Sequence, residues 1–155
     1  MVGDRRRSRT IALQILYETD SSKHTTDSVF AHITDESKVK GQTISFSKQI
    51  IDGILHNRES IDKVISEFAP LFPLGQMAII DRNILRIALW EILFDSNNKV
   101  PIKVAVNEAV ELAKIFGSDA SPKFINGVLG AIISAKIGSP NTVKIVNIPD
   151  KSDNL

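Results

Sequence analysis

Ser121-Pro122-Lys123-Phe124-Ile125-Asn126-Gly127-Val128-Leu129 reads as the start of a helix. A serine hydroxyl accepts from an orphan backbone N–H, and a proline at the next position loses nothing by lacking one. Ser121 is therefore expected as the N-cap and Pro122 as the first helical residue. Phe124, Ile125, Val128, Leu129 and Ile132 supply the apolar spacing of a buried helical face. Gly127 costs about 1 kcal/mol relative to alanine inside a helix, so the sequence predicts close approach of a neighbouring helix there. A strong stop follows at Gly138-Ser139-Pro140.

The helical period extends upstream through nearly the whole chain. Ile11, Leu13, Ile15, Leu16 and Tyr17 predict a first helix ending near Asp20, and Val29, Phe30 and Ile33 a second. A loop is expected at Val39-Lys40-Gly41-Gln42. Phe46, Ile50 and Ile54, with Ile51 and Leu55 beside them, mark a third helix; Ile61, Val64, Ile65 and Phe68 mark a fourth. Pro70 and Pro73 break the pattern, because proline disfavours helix in the residue before it. Met77 to Phe94 is apolar on most faces and is expected as a helix at the centre of the fold. After a loop at Ser96-Asn97-Asn98-Lys99, Pro101 opens a sixth helix with Gly117 as its C-cap. The expected fold is all-α, a single domain of about seven helices over residues 1–138, followed by a tail, 139–155, with little fixed structure.

Composition narrows the function. The chain has 155 residues, 43% hydrophobic and 24% charged, which suits one globular domain with a real core. No apolar run reaches the roughly 18 residues of a membrane span. Asp20 and the polar Ser21-Ser22-Lys23-His24 end the only candidate leader, so no signal peptide is expected. With no cysteine, disulfides and thiol chemistry are excluded. A net charge of +1 leaves nucleic-acid binding to a local patch.

Arg5-Arg6-Arg7-Ser8-Arg9 is the dense basic cluster. The planar guanidinium fork suits phosphate, and several such groups release counterions from RNA or DNA. The plainer alternative is a solvated N-terminal arm. Lys123 and Phe124 at a helix start, with Phe116 just before the loop, combine a cation, aromatic surface and free N–H groups, the parts needed to hold an unpaired base and its phosphate. Taken singly, each phenylalanine is better explained by the core, with Phe116 sealing the end of its helix. His24, His32 and His56 lack metal-ligand spacing, and no metal or cofactor is expected. Asp81-Arg82 and Arg86-Glu91 read as ion pairs or helix-surface charges, and Asn107, Glu108 and Glu111 as a solvated face. No glycine-rich phosphate loop is present, and no catalysis is expected.

Four blocks, in this order and spacing, resemble the NusB family. They are Arg5 to Arg9 followed by Ala12-Leu13-Gln14-Ile15-Leu16-Tyr17; Asp81 to Glu91; Pro101 with Val104 to Lys114; and Phe116-Gly117 through Leu129. The resemblance runs from about Arg5 to Ala135. It implies two packed three-helix bundles and a non-enzymatic, cytoplasmic transcription antitermination factor. It further implies binding of boxA, a short single-stranded RNA stretch of ribosomal leader transcripts, jointly with NusE, a small-subunit ribosomal protein, and association with the RNA polymerase elongation complex. RNA contacts carry over onto Arg5, Arg6, Arg7, Arg9, Phe116, Lys123 and Phe124. The protein-partner surface carries over onto Tyr17, Asp81 and Arg82. Ala120 departs from family members with a polar or acidic residue there, and Asp119 stands one position earlier. Formation of a homodimer is left open. Two alternatives stand beside this reading: a NusB-like N-terminal domain of a ribosomal RNA cytosine methyltransferase, and a helical adaptor that binds only protein.

Overall fold

The computed structural model describes residues 2–37, 41–69, 73–96 and 100–138. Its order is α1 (Val2–Ser21), α2 (Thr26–Ser37), α3 (Gly41–Phe68), a 3-10 turn (Leu74–Gln76), α4 (Ile79–Leu89) continued by a π turn (Trp90–Phe94), α5 (Ile102–Phe116) and α6 (Ser121–Lys136). The described residues therefore form six α-helices rather than seven. The expected third and fourth helices run together as α3, with a kink at Asn57 (φ −109°, ψ 15°). There the Asn57 side-chain amide donates to the Gly53 carbonyl at 2.8 Å, a side-chain bond at the point where the helical backbone is interrupted. Gly41 and Gln42, expected in a loop, open α3. The expected loop residues 39–40 and 97–99, the Pro70 break and the tail from Ser139 lie outside the described residues.

α1 packs against α2 and α3, and α4 packs against α5 and α6, giving two three-helix bundles. They join where α4 lies on α1 and α3. The α4 run is the hinge of this packing, with Ile84, Leu85, Ile87, Ala88 and Leu89 all buried, as its apolar circumference demands.

Small side chains set the close approach of α1 to α3. Ser8 Oγ donates to the Thr43 carbonyl at 2.9 Å, and Ser47 Oγ donates to the Ser8 carbonyl at 3.1 Å; all three residues are buried. These bonds satisfy polar groups that would otherwise be costly to bury. Gly127 plays no such part. It is exposed, with open space where a Cβ would stand. The glycine under real steric constraint in this core is Gly53, whose added Cβ would run into the Trp90 indole.

The α5–α6 corner also differs from expectation. Ser121 is the first helical residue and Ala120 the cap position, with no side-chain cap bond. Ser121 Oγ instead accepts from the Ser118 N–H at 2.9 Å. Gly117 ends α5 as expected, but in extended backbone (φ −92°, ψ −170°). A Cβ there would meet Ser121 Oγ at 2.5 Å, so the corner is tight enough to require glycine. Gly138, at φ 112°, sits where L side chains are strained and turns the chain after α6.

Candidate nucleic-acid interface

The arginine cluster is not a solvated arm. Its helix is docked, and its members have different surroundings. Arg9 is 5% exposed and grips Glu91 with both edges of a fork, Nε to Oε1 at 2.7 Å and Nη2 to Oε2 at 2.8 Å. Burial works to lower the Arg9 pKa, but hydrogen bonding and charge attraction from Glu91 outweigh it, and the net shift is upward. Glu91 reaches Arg9 from the π turn that ends the α4 run.

Arg6 makes a second fork, to Glu108 on α5, with Nε to Oε1 at 3.0 Å and Nη2 to Oε2 at 2.7 Å. Arg9 Nη1 also approaches Glu108 Oε1 at 3.4 Å. The hydrogen bond from Arg6 holds the Glu108 carboxyl below its usual range, against some desolvation. Glu108 thus leaves the solvated face expected for it and becomes part of the basic cluster. The Arg5 guanidinium lies 4.4 Å from the centroid of the Phe46 ring, a cation–π contact. Arg7 is exposed.

At the other candidate block, Lys123 is exposed, while Phe116 and Phe124 are half-buried and pack against the core. Ile125, one residue on, is fully buried. Phe116 follows Glu108 by about two turns of α5, or about 12 Å along the axis. The Arg6 fork and the α5–α6 corner are thus served by one helix.

The proposed partner surface is rearranged. Tyr17 is exposed, at 42%, and lines an open groove of about 780 Å³ with Leu13, Gln14, Glu18, Ile33, Ile80 and Phe116. Phe116 therefore stands with Tyr17, although sequence alone put them on separate surfaces. Asp81 and Arg82 are not exposed rim charges. Asp81 is 8% exposed, and its Oδ1 finds no hydrogen-bond donor among the described residues. Arg82 donates through Nε to Asp20 Oδ2 at 2.8 Å and through Nη1 to the Leu74 carbonyl at 3.1 Å. The end of α1 covers this start of α4, which is why the charges are inside.

The expected pairs also changed partners. Arg86 forks onto Asp62, with Nε to Oδ1 at 2.9 Å and Nη2 to Oδ2 at 3.1 Å, and donates through Nη1 to Asp20 Oδ2 at 3.1 Å. Asp20 is partly desolvated, which raises its pKa. Hydrogen bonds from Arg82 and Asn83 and the charges of Arg86 and Arg82 outweigh this and bring it down to about 2.

Fold and site together define a class: an all-helical binding protein whose arginine-bearing first helix is locked by carboxylates onto the second of two three-helix bundles. Among the described residues no helix is long and apolar enough to cross a membrane, and no group of three histidines and carboxylates could hold a metal ion. The chain belongs to the NusB family, whose model matches residues 6–134. It is 45% identical over 134 residues to a transcription antitermination protein NusB of Roseiflexus sp., covering 86% of this chain and 94% of that protein. It is 46% identical over 131 residues to the one of Herpetosiphon aurantiacus, covering 84% and 90%. Among solved structures, T. maritima NusB superposes with a TM-score of 0.77 at 31% identity, covering 92% of this chain and 97% of that one. A chain of a crystal structure of antitermination factors NusB and NusE in complex with dsRNA superposes with a TM-score of 0.78 at 25% identity, covering 87% and 99%. The family consists of RNA-binding antitermination factors rather than enzymes.

Proposed function

We propose that this chain is a cytoplasmic antitermination factor that binds the boxA element of ribosomal leader transcripts together with NusE and joins the RNA polymerase elongation complex. The observation that carries the reading is the docked arginine helix beside the α5–α6 corner, in a chain whose family relatives include a NusB–NusE–RNA complex. Arg6 and Arg7 offer guanidinium groups at the surface, Arg5 lies on Phe46, and Lys123 with the accessible part of Phe124 supplies charge and a stacking edge. Arg9 enters as a strut that orients α1 rather than as an RNA contact, because its fork is occupied inside the protein.

NusE is assigned to the Tyr17 groove. Its apolar floor and the Glu18 rim suit a partner bringing apolar side chains and at least one cation. Asp81 and Arg82 follow Ile80 of the groove wall but do not line the groove themselves. Phe116 serves its groove side before its RNA side.

Anisotropy of a labelled boxA-type single-stranded RNA, measured with and without NusE, tests the function. The expected outcome is binding by the chain alone that tightens when NusE is added. Absence of RNA binding in both cases would favour the adaptor that binds only protein. The methyltransferase-domain alternative has less support, because relatives matched over nine-tenths of their length are antitermination proteins.

A further inference from the structure

Four side chains of alternating charge run from the core to the surface. Glu91 is 3% exposed and holds Arg9; Arg9 touches Glu108; Glu108 holds Arg6, whose side chain is 56% exposed. Two of these residues lie on α1, one on the π turn and one on α5. The quartet carries no net charge, so it adds little long-range attraction for a polyanion. What it offers is geometry.

We infer that Glu108 is a positioning residue for RNA: it fixes the Arg6 fork so that the remaining guanidinium N–H groups face a phosphate in one orientation. This rests on the RNA-binding reading given above. Glu108 takes the Nε–H and one Nη2–H of Arg6. Of the five guanidinium N–H groups, these two are engaged and three stay available, in a plane that cannot bend. A free arginine side chain has many rotamers to lose when it captures a phosphate. Here the loss is already taken on folding, because Glu108 is itself anchored by Arg9, and Arg9 by Glu91.

The opposing view treats the arginines as charge alone, with Glu108 merely subtracting from it. The two views predict opposite signs for one isosteric change. Glu108→Gln removes one negative charge from the cluster, so a charge-only cluster would bind RNA more tightly. Positioning predicts weaker binding, by about three- to tenfold, the usual cost of immobilising one rotamer-rich side chain.

The test is anisotropy of a fluorescein-labelled boxA-type single-stranded RNA with the full chain, its Glu108→Gln, Arg6→Ala and Arg6→Lys variants, and the Arg6→Ala, Glu108→Gln double variant. Glu108→Gln should bind about three- to tenfold more weakly than the parent, and should cause no further loss once Arg6 is alanine. Arg6→Lys keeps the charge and loses the fork, so it should bind nearly as weakly as Arg6→Ala. This comparison leaves Glu108 untouched and decides the matter even if Glu108→Gln does not fold. Unchanged or tighter binding by folded Glu108→Gln, or parental affinity in Arg6→Lys, would overturn the inference while leaving RNA binding intact. A parent chain that ignores the RNA would overturn the functional reading as well.

Discussion

A single methyl group at residue 53 would collide with the Trp90 indole, because α3 crosses the α4 run with no room for a Cβ. Gly53→Ala must therefore push the indole or bend α3 further at its kink. Overpacking of this kind costs about 1–3 kcal/mol. Trp90 is the sole tryptophan of the chain, so its fluorescence reports the displacement directly. We expect a lower melting temperature with a shifted emission maximum; a variant with parental melting and emission would show that the crowding is easily relaxed. Neither this glycine nor the role of Gly127 was legible in the sequence. Both are glycines at helical positions, and only the crossing of α3 over α4, a long-range fact, tells the crowded one from the exposed one. Ser121 failed for a local reason. The serine–proline pattern does mark the start of α6, but Gly117 folds the corner so tightly that the hydroxyl serves the turn behind it rather than the helix ahead.

At the scale of the element, α1 is held less by its apolar stripe alone than by Arg9 within it. Ala12, Leu13 and Leu16 follow Arg9 at the spacing of a core face, so an arginine stands on the buried side of the helix. That pattern was readable: a charge on an apolar stripe requires a partner, and Glu91, set within the buried run from Ile84 to Asp95, is the matching acid. The sequence alone could not join them, because the π turn that aims Glu91 has no periodic signature. Arg9→Ala leaves a buried carboxylate with its main partner gone, and we expect a loss of about 3–5 kcal/mol. Replacing Arg9 by Met and Glu91 by Leu together removes both charges and should recover most of that loss. Chemical denaturation of the single and double variants checks this; equal destabilisation of the two would show that the pair is not the cause. Most helix positions, set by short-range periodicity, were legible, although Gly41 and Gln42, expected in a loop, open α3. The fusion of two expected helices into α3 was not, since Asn57 interrupts the dihedrals without interrupting the apolar spacing.

Across the whole molecule, Asp20 joins α1 to α4 through Arg82, Asn83 and Arg86, and Asp62 brings α3 into the same network. The Asp20 carboxyl has fallen from 3.8 to about 2, so the folded protein binds its proton less readily than the unfolded chain does. Its contribution to stability is complete above 3.8 and is lost as pH falls through that value towards about 2. Asp20→Asn should thus melt well below the parent at neutral pH, and the gap should close through this acid window. A gap independent of pH would remove Asp20 from the acid response. The same network explains why Arg82 makes a poor probe of a partner surface: changing it perturbs the junction of the two bundles. Asp81 is a poor probe because it is buried. Tyr17 is a better one, being exposed and in the groove. α1 then carries both candidate surfaces, Arg6 near its start and Tyr17 about 16 Å further along, at roughly 1.5 Å per residue. Two folded variants should separate them. Arg6→Ala with Arg7→Ala should weaken RNA binding across sequences and lower its salt slope by roughly 0.7 for each phosphate that is no longer neutralised, while sparing NusE. Tyr17→Ala should weaken NusE and spare binding of RNA alone. Calorimetry with NusE and anisotropy with RNA, run on both variants, read the two effects independently. If each variant damages both activities while melting like the parent, the two surfaces are one, and the division of α1 into an RNA end and a protein end is wrong.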